Sequence, residues 1–233
     1  MAKRHLKRMN APKTWPIARK GIKWIVRPQG GHTLQHSMPL AIMLREMLKL
    51  ARTGKESRTI LNQKLVNVNG KPRKDPKYGV GLMDVIEVPS LKIRFRVLLT
   101  KQGKLAVHAI DEKEAALIPR KITGKRLLKG KKMQFSFSDG YSFVSDSKDY
   151  KVGDTIVFEG EKAKEHLKFE KGALVYLVSG KQIAMHGKVE GIKSFAGAQP
   201  DNLILNIGGK SYETRKEYAM VIGKEKPVVS LIE

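Results

Sequence analysis

Residues 37–70 read SMPLAIMLREMLKLARTGKESRTILNQKLVNVNG. Leu40, Met43, Leu44, Met47, Leu48 and Ala51 recur at three- and four-residue steps, which places them on one face of an α-helix. Ser37 suits the N-cap, Pro39 the first turn and Gly54 the termination. Arg45, Lys49 and Arg52 share the same spacing on another face, so the helix is expected to bury an apolar stripe and present a basic one. A second short helix is expected over roughly 55–63, with Ile60 and Leu61 inward and Lys55 and Arg58 among its cations. Then 65–70 alternates at period two and closes in Asn69-Gly70, the strongest short-range hairpin signal, followed by Lys71. Asp84 to Val88 reads as the returning strand, ended by Pro89.

Upstream, residues 1–36 read as a basic arm with little apolar periodicity, ending in Pro28, Gly30 and Gly31. Such a segment is expected to be mostly disordered alone in water and to order against a partner. Trp15 and Trp24 lie between its cations, where they could stack on bases; the other reading packs both rings on the protein's own surface.

Downstream the chain turns strand-rich. Leu91, Ile93, Phe95 and Val97 alternate with Lys92, Arg94 and Arg96, an apolar face against a cationic one. Strands are expected at 105–110, 133–137, 141–144 and 155–158, and the basic run from Arg120 to Lys132 is expected to be a loop. Five more short strands, at 173–178, 182–185, 188–192, 203–207 and 219–222, suggest a compact barrel.

Charge is distributed unevenly. Residues 1–138 hold 32 Lys+Arg against 8 Asp+Glu, and 139–233 hold 14 of each, so the first part carries the whole net charge of +24. Ten Lys or Arg precede Glu46, the first acidic residue. Such an imbalance asks for a polyanion, and nucleic acid rewards it by releasing counterions from its phosphates.

Several chemistries find no support. The chain has no cysteine, which removes disulfides and thiolate sites together. No apolar run approaches the ~18 residues of a membrane helix. No apolar signal core stands at the start, and Pro12, Pro16, Gly21 and Pro28 spoil the amphipathic helix of a transit peptide. Neither Gly54-Lys55 nor 79–81 completes a phosphate-binding glycine loop. His32 and His36 stand four apart with no acidic third ligand beside them in sequence, so they are expected to face solvent or RNA. No catalytic set, metal or cofactor is requested.

The order Leu44-Arg45, Ala51-Arg52-Thr53, Glu56, Arg58, then Val68-Asn69-Gly70-Lys71 resembles the S-four-type RNA-binding domain, over about 38–90. The runs 174–181 and 187–192 look like a KOW motif whose central glycine is replaced by Ala184. With the arm containing 5–8 and 11–15, the whole chain resembles the small-subunit ribosomal protein S-four-e family of archaea and eukaryotes, in a compact, archaeal-looking length.

The reading is then an α+β, mostly β chain in four parts: a basic N-terminal arm (1–36), a helix pair on a small sheet that binds RNA (37–90), a β-rich central domain (91–169) and a small SH3-like barrel carrying the KOW motif (170–233). The resemblance implies a structural constituent of the small ribosomal subunit, in the cytoplasm, with small-subunit rRNA and neighbouring ribosomal proteins as partners and no catalysis. The residues expected to meet RNA are Lys3, Arg4, Lys7, Arg8, Lys13, Trp15, Arg19, Lys20, Lys23, Trp24 and Arg27 on the arm; Arg45, Lys49, Arg52, Lys55, Arg58, Lys64, Asn69 and Lys71 next; and Lys125, Arg126, Lys131 and Lys132 in the basic run. Gly180, Lys181 and Gly187 mark the KOW turn. The alternatives are an RNA-modifying enzyme preceded by an S-four-type domain, and a transcription or translation factor that uses the KOW domain to hold a protein.

Overall fold

The computed structural model describes residues 5–146, 149–195 and 199–232. The described chain is mostly β with few, short helices, and it forms two compact units: residues 1–98 with 104–118, and residues 99–103 with 119–233.

The first unit begins with a two-stranded antiparallel ribbon, β1 (Leu6–Lys7) and β2 (Trp24–Ile25), with Lys7 opposite Trp24. A short strand β3 (Ser37–Pro39) runs straight into α1 (Leu40–Ile42), which a π-helical stretch Met43–Met47 continues. Then come α2 (Gly54–Asn62), β4 (Asn67–Val68), β5 (Lys71–Pro72), β6 (Gly79–Gly81), β7 (Val85–Val88), β8 (Ile93–Leu99), β9 (Leu105–Ala109) and α3 (Glu112–Ala115). The main sheet has the order β5-β4-β7-β8-β9, and β3 pairs with β6 beside it. The expected hairpin is present: Asn69 and Gly70 take φ of 53° and 73°, the left-handed pair that a tight primed turn demands, but the strand it returns into is β5, and the strand expected at 84–88, β7, pairs antiparallel with β4 on its other side.

Two expectations for the first helix are corrected. Ser37 caps nothing; it lies in β3, and its hydroxyl donates to the Thr33 carbonyl at 2.9 Å. The helix does not reach Gly54. It widens into a π turn and stops at Lys49, whose φ is 54°. Gly54 instead opens α2, capped by Thr53, whose hydroxyl accepts from the Glu56 N–H at 3.2 Å while Glu56 Oε2 accepts from the Arg52 N–H at 2.8 Å. Of the expected buried face, Leu40, Met43 and Leu44 are almost without exposure and Ala51 is buried beyond the helical stretch, whereas Met47 and Leu48 are only half-buried.

The arm is not a disordered tail in this structure. Trp15 is 2% exposed, and its indole N–H donates to the Ser37 carbonyl at 2.7 Å. Arg8 is buried with its guanidinium on the Ala18 carbonyl and, at 3.5 Å, on Glu46 Oε1. Arg19 gathers the carbonyls of Met9, Ala11 and Pro12 at 3.2, 2.8 and 2.9 Å. Few apolar residues are needed to fold such a segment when two arginines satisfy its backbone acceptors from within.

The cationic face expected on β8 is also spent internally. Arg96 has no exposure; it pairs with Glu114 Oε1 at 3.2 Å and donates to the carbonyls of Met83, Glu114 and Leu117. Arg94 pairs with Glu112 at 2.8 Å. The carboxylates of α3 therefore neutralise the arginines of β8.

The second unit holds two five-stranded sheets. The first contains β10 (Leu117–Leu127), which enters from the other unit, with β11 (Met133–Phe137), β12 (Ser142–Ser145), β13 (Thr155–Glu159) and β14 (Lys162–Leu167), in the order β12-β11-β10-β13-β14. Its core is Ile122, Phe135, Phe137, Ile156 and Phe158, with Tyr141 and Phe143 set edge-on to Phe158 at 5.5 Å each. The second contains β15 (Leu174–Leu177), β16 (His186–Lys193), β17 (Asn202–Ile207), β18 (Lys210–Arg215) and β19 (Ala219–Gly223), in the order β18-β17-β16-β15-β19. The strand expected at 182–185 is a turn; the fifth strand is β18. The basic run from Arg120 is mainly strand, not loop: it forms most of β10 and a short turn at Lys129–Lys131.

Candidate nucleic-acid interface

On the first unit the exposed cations concentrate where the π-helical stretch hands over to α2. Lys49, Arg52, Lys55, Arg58 and Lys64 are all exposed, whereas Ser57 and Leu61 turn into the core from the opposite face of α2. Lys55 and Arg58 lie three apart and share the outer face. Arg45 joins them: its guanidinium passes 3.9 Å from the point where a side chain at Gly54 would begin, and it is held at 3.1 Å by Glu46. Lys49, Lys55, Arg58 and Lys64 make no ion pair among the described residues. Besides Glu46, Glu56 is also occupied: the backbone N–H groups of Arg52 and Thr53, the Thr53 hydroxyl and the Arg52 charge hold its carboxyl below its ordinary range. The surface is thus a cluster of long, mobile cations over a rigid helix, suited to phosphates at several spacings.

Behind this surface a buried polar group fixes the turn. Asp84, 2% exposed, accepts from Asn69 Nδ2 at 2.7 Å and from the Gly81 N–H at 2.8 Å, and His32 Nε2 lies 2.9 Å from its Oδ2. Burial alone would push the Asp84 carboxyl up; the His32 charge and these hydrogen bonds more than reverse that and hold it below its ordinary range. Asn69 also accepts from the Val85 N–H at 2.9 Å, so its side chain serves the fold and is not presented to RNA. His32 and His36 do not face solvent as expected. The carboxylate missing from their sequence neighbourhood is Asp84, brought from 52 positions away, and His36 is half-buried. Among the described residues no group of three metal-capable side chains forms.

Of the arm's candidates, Lys7, Lys13, Lys20, Lys23 and Trp24 are exposed and Arg27 is half-buried, whereas Trp15 and Arg8 are buried and Arg19, half-buried, is engaged by backbone carbonyls. Lys3 and Arg4 lie outside the described residues. Lys71 is exposed beside the Asn69 turn.

On the second unit Lys125, Arg126 and Lys132 are exposed at the far end of the β10–β11 hairpin, where Arg126 stands opposite Gln134, and Lys131 falls in its connecting turn. Lys121, on the same strand, points inward: its ammonium donates to the carbonyls of Glu217 and Ala219 at 2.6 and 2.7 Å, and burial lowers its pKa to about 8. Arg120 is buried over the Tyr141 ring, 4.1 Å from its centroid, and pairs with Asp139. In the expected KOW turn, Gly180 takes φ of 98° and Lys181 is exposed. A side chain at Gly187 would meet the Asn206 carbonyl at 2.5 Å, so β16 and β17 can lie this close only with glycine there. Ala184, standing where the motif has glycine, keeps a left-handed φ of 65°.

The fold and this surface define a β-rich protein that presents exposed cations on both of its units. Three family models match the chain: the RS4NT (NUC023) domain over residues 2–35, the S4 domain over 38–86 and Ribosomal family S4e over 91–164. Small ribosomal subunit protein eS4 of Methanosphaera stadtmanae is 38% identical, with 99% of this chain and 97% of that protein covered. The protein of the same name from Methanothermobacter thermautotrophicus is 37% identical over 99% of this chain and 96% of its own length. The crystal structure of the 30S ribosomal protein S4e from Thermoplasma acidophilum superposes with a TM-score of 0.71 at 28% identity, covering 83% of this chain and 99% of that one. The chain belongs to the small ribosomal subunit protein eS4 family.

Proposed function

We propose that the chain is a structural constituent of the small ribosomal subunit that binds and stabilises folded rRNA and performs no catalysis. The observation that carries this reading is the cluster Lys49, Lys55, Arg58 and Lys64, exposed and without ion pairs among the described residues, within the part of the chain that matches the S4 domain. A second grip is formed by Lys125, Arg126 and Lys132 at the hairpin end. Gripping at separated points would hold an RNA fold in place in a way that one strong site could not.

The four-part layout of arm, RNA-binding domain, central domain and C-terminal barrel is supported by family matches that break near residues 36 and 90. For a KOW-type barrel over 170–233, the support is the set of strands β15–β19 and the left-handed Ala184. The neutral second half, with 14 cations and 14 anions, suits neighbouring ribosomal proteins better than phosphate. The ribosome, and with it the cytoplasm, is the proposed location.

Titrating the purified chain with small-subunit rRNA over a series of salt concentrations tests the reading. Affinity should fall steeply and log-linearly, and replacing Lys55 and Arg58 by alanine should flatten the slope by about two counterions. Salt-independent binding, or a slope unchanged in the double variant, would contradict it.

A further inference from the structure

The two tryptophans of this chain have opposite fates. Trp15 is enclosed, 2% exposed and hydrogen-bonded; Trp24 stands 51% exposed on β2. An indole half in water leaves a large apolar surface open to a ligand. Met9 and Ile22, 63% and 61% exposed, belong to the same ribbon and its flanks.

The ribbon braces the exposed ring. Trp24 is in register with Lys7, and the Arg8 N–H donates to the Lys23 carbonyl at 2.9 Å. The His5 ring lies 5.8 Å from the indole, tilted by 55°, and Lys23 Nζ stands 5.4 Å from its centroid. The buried Arg8 guanidinium anchors the ribbon's base to Ala18 and Glu46. Every charge on the ribbon is positive, since no acid precedes Glu46, and Lys7, opposite the ring in register, and Lys23, over it, are both exposed. A ligand suited to this place carries a flat apolar face and negative charge within one unit. A nucleotide has both, and its base face is available only when it is not already stacked in a duplex.

We propose that Trp24 is a stacking platform for one unpaired nucleobase, with Lys7 and Lys23 holding the adjoining phosphates. This rests on the rRNA-binding reading above and adds to it a residue that recognises single-stranded, looped or bulged RNA.

The full chain is titrated with three probes: small-subunit rRNA, a short single-stranded oligoribonucleotide, and a blunt duplex of the same length. The single strand should quench tryptophan emission and the duplex should leave it unchanged. Trp24→Ala should abolish the quench and weaken single-strand binding about tenfold at an unchanged salt slope, and Trp24→Phe should keep most of the affinity. Lys23→Ala should instead flatten the slope by about one. The remaining, buried Trp15 reports through its emission that the Trp24 variants are folded. Equal single-strand affinity in wild type and Trp24→Ala, with no quench, would overturn the stacking site while rRNA binding by both proteins leaves the parent reading intact. Absence of rRNA binding by the wild type would overturn both.

Discussion

Asn69 and Asp84 meet side chain to side chain, the amide Nδ2 donating to the carboxylate at 2.7 Å, so that the β4–β5 hairpin turn is tied to the buried residue that precedes β7. The same amide accepts from the Val85 N–H at 2.9 Å, and the residue takes φ of 53°. One asparagine thus meets three demands: donor, acceptor and left-handed backbone. Asn69→Ala should lose all three and destabilise by about 1–3 kcal/mol in urea unfolding. Asn69→Gly restores only the backbone freedom, so it should recover part of the loss and not the whole.

Gly81 exists in this sequence because the His32 ring lies flat against it. A Cβ there would stand 2.4 Å from the imidazole. Gly81→Ala should push His32 off Asp84 and cost about 1–3 kcal/mol. The loss of the imidazole–carboxylate hydrogen bond should be visible in the nitrogen chemical shifts of His32.

Acid should destabilise the first unit in two windows. Burial, and then the charge of His32, holds the His36 pKa below its ordinary 6.5. The unfolded chain therefore takes up this proton first, so the His36 contribution is complete above pH 6.5 and falls away as pH drops below it. The depressed Asp84 carboxyl acts lower: its stabilisation is present above its ordinary 3.8 and is lost as pH falls through the folded value. Denaturant midpoints measured between pH 8 and 5 should decline for the wild type and decline less for His36→Gln.

Arg96 is a buried charge whose value lies in its partners. Removing Glu114 should strand it and cost about 3–5 kcal/mol. Arg96→Lys should also destabilise, since an ammonium cannot reach Glu114 and the carbonyls of Met83, Glu114 and Leu117 with one planar fork. A double variant, Arg96→Met with Glu114→Gln, should be milder than either single loss, which thermal unfolding can rank.

Much of the architecture was legible where local chemistry had a single solution. The Asn69-Gly70 turn, the buried Leu40, Met43 and Leu44, helix α2 and the alternation of Met133, Phe135 and Phe137 were each readable without tertiary knowledge. Strands β14 and β18 were not, because KAKEHL and KSYETR are edge strands of exposed, charged residues with almost no apolar period. Cations were the least legible. Arg8, Arg19, Arg96, Arg120 and Lys121 look in sequence like Lys55 and Arg58, and only their carbonyl and carboxylate partners, mostly distant in the chain, separate fold-holding charge from free charge. Trp15 was hidden for the same reason: its acceptor, the Ser37 carbonyl, lies 22 positions away.

The central claim, a structural place on small-subunit rRNA, is tested most directly by ultraviolet crosslinking of the chain in its native cells, followed by sequencing of the attached RNA and mapping of the linked residues. Near-stoichiometric crosslinks at a few positions of small-subunit rRNA, arising from the 45–64 surface and the 125–132 hairpin end, are the predicted result. Crosslinks spread over tRNA, mRNA or nascent transcripts at low yield would contradict it.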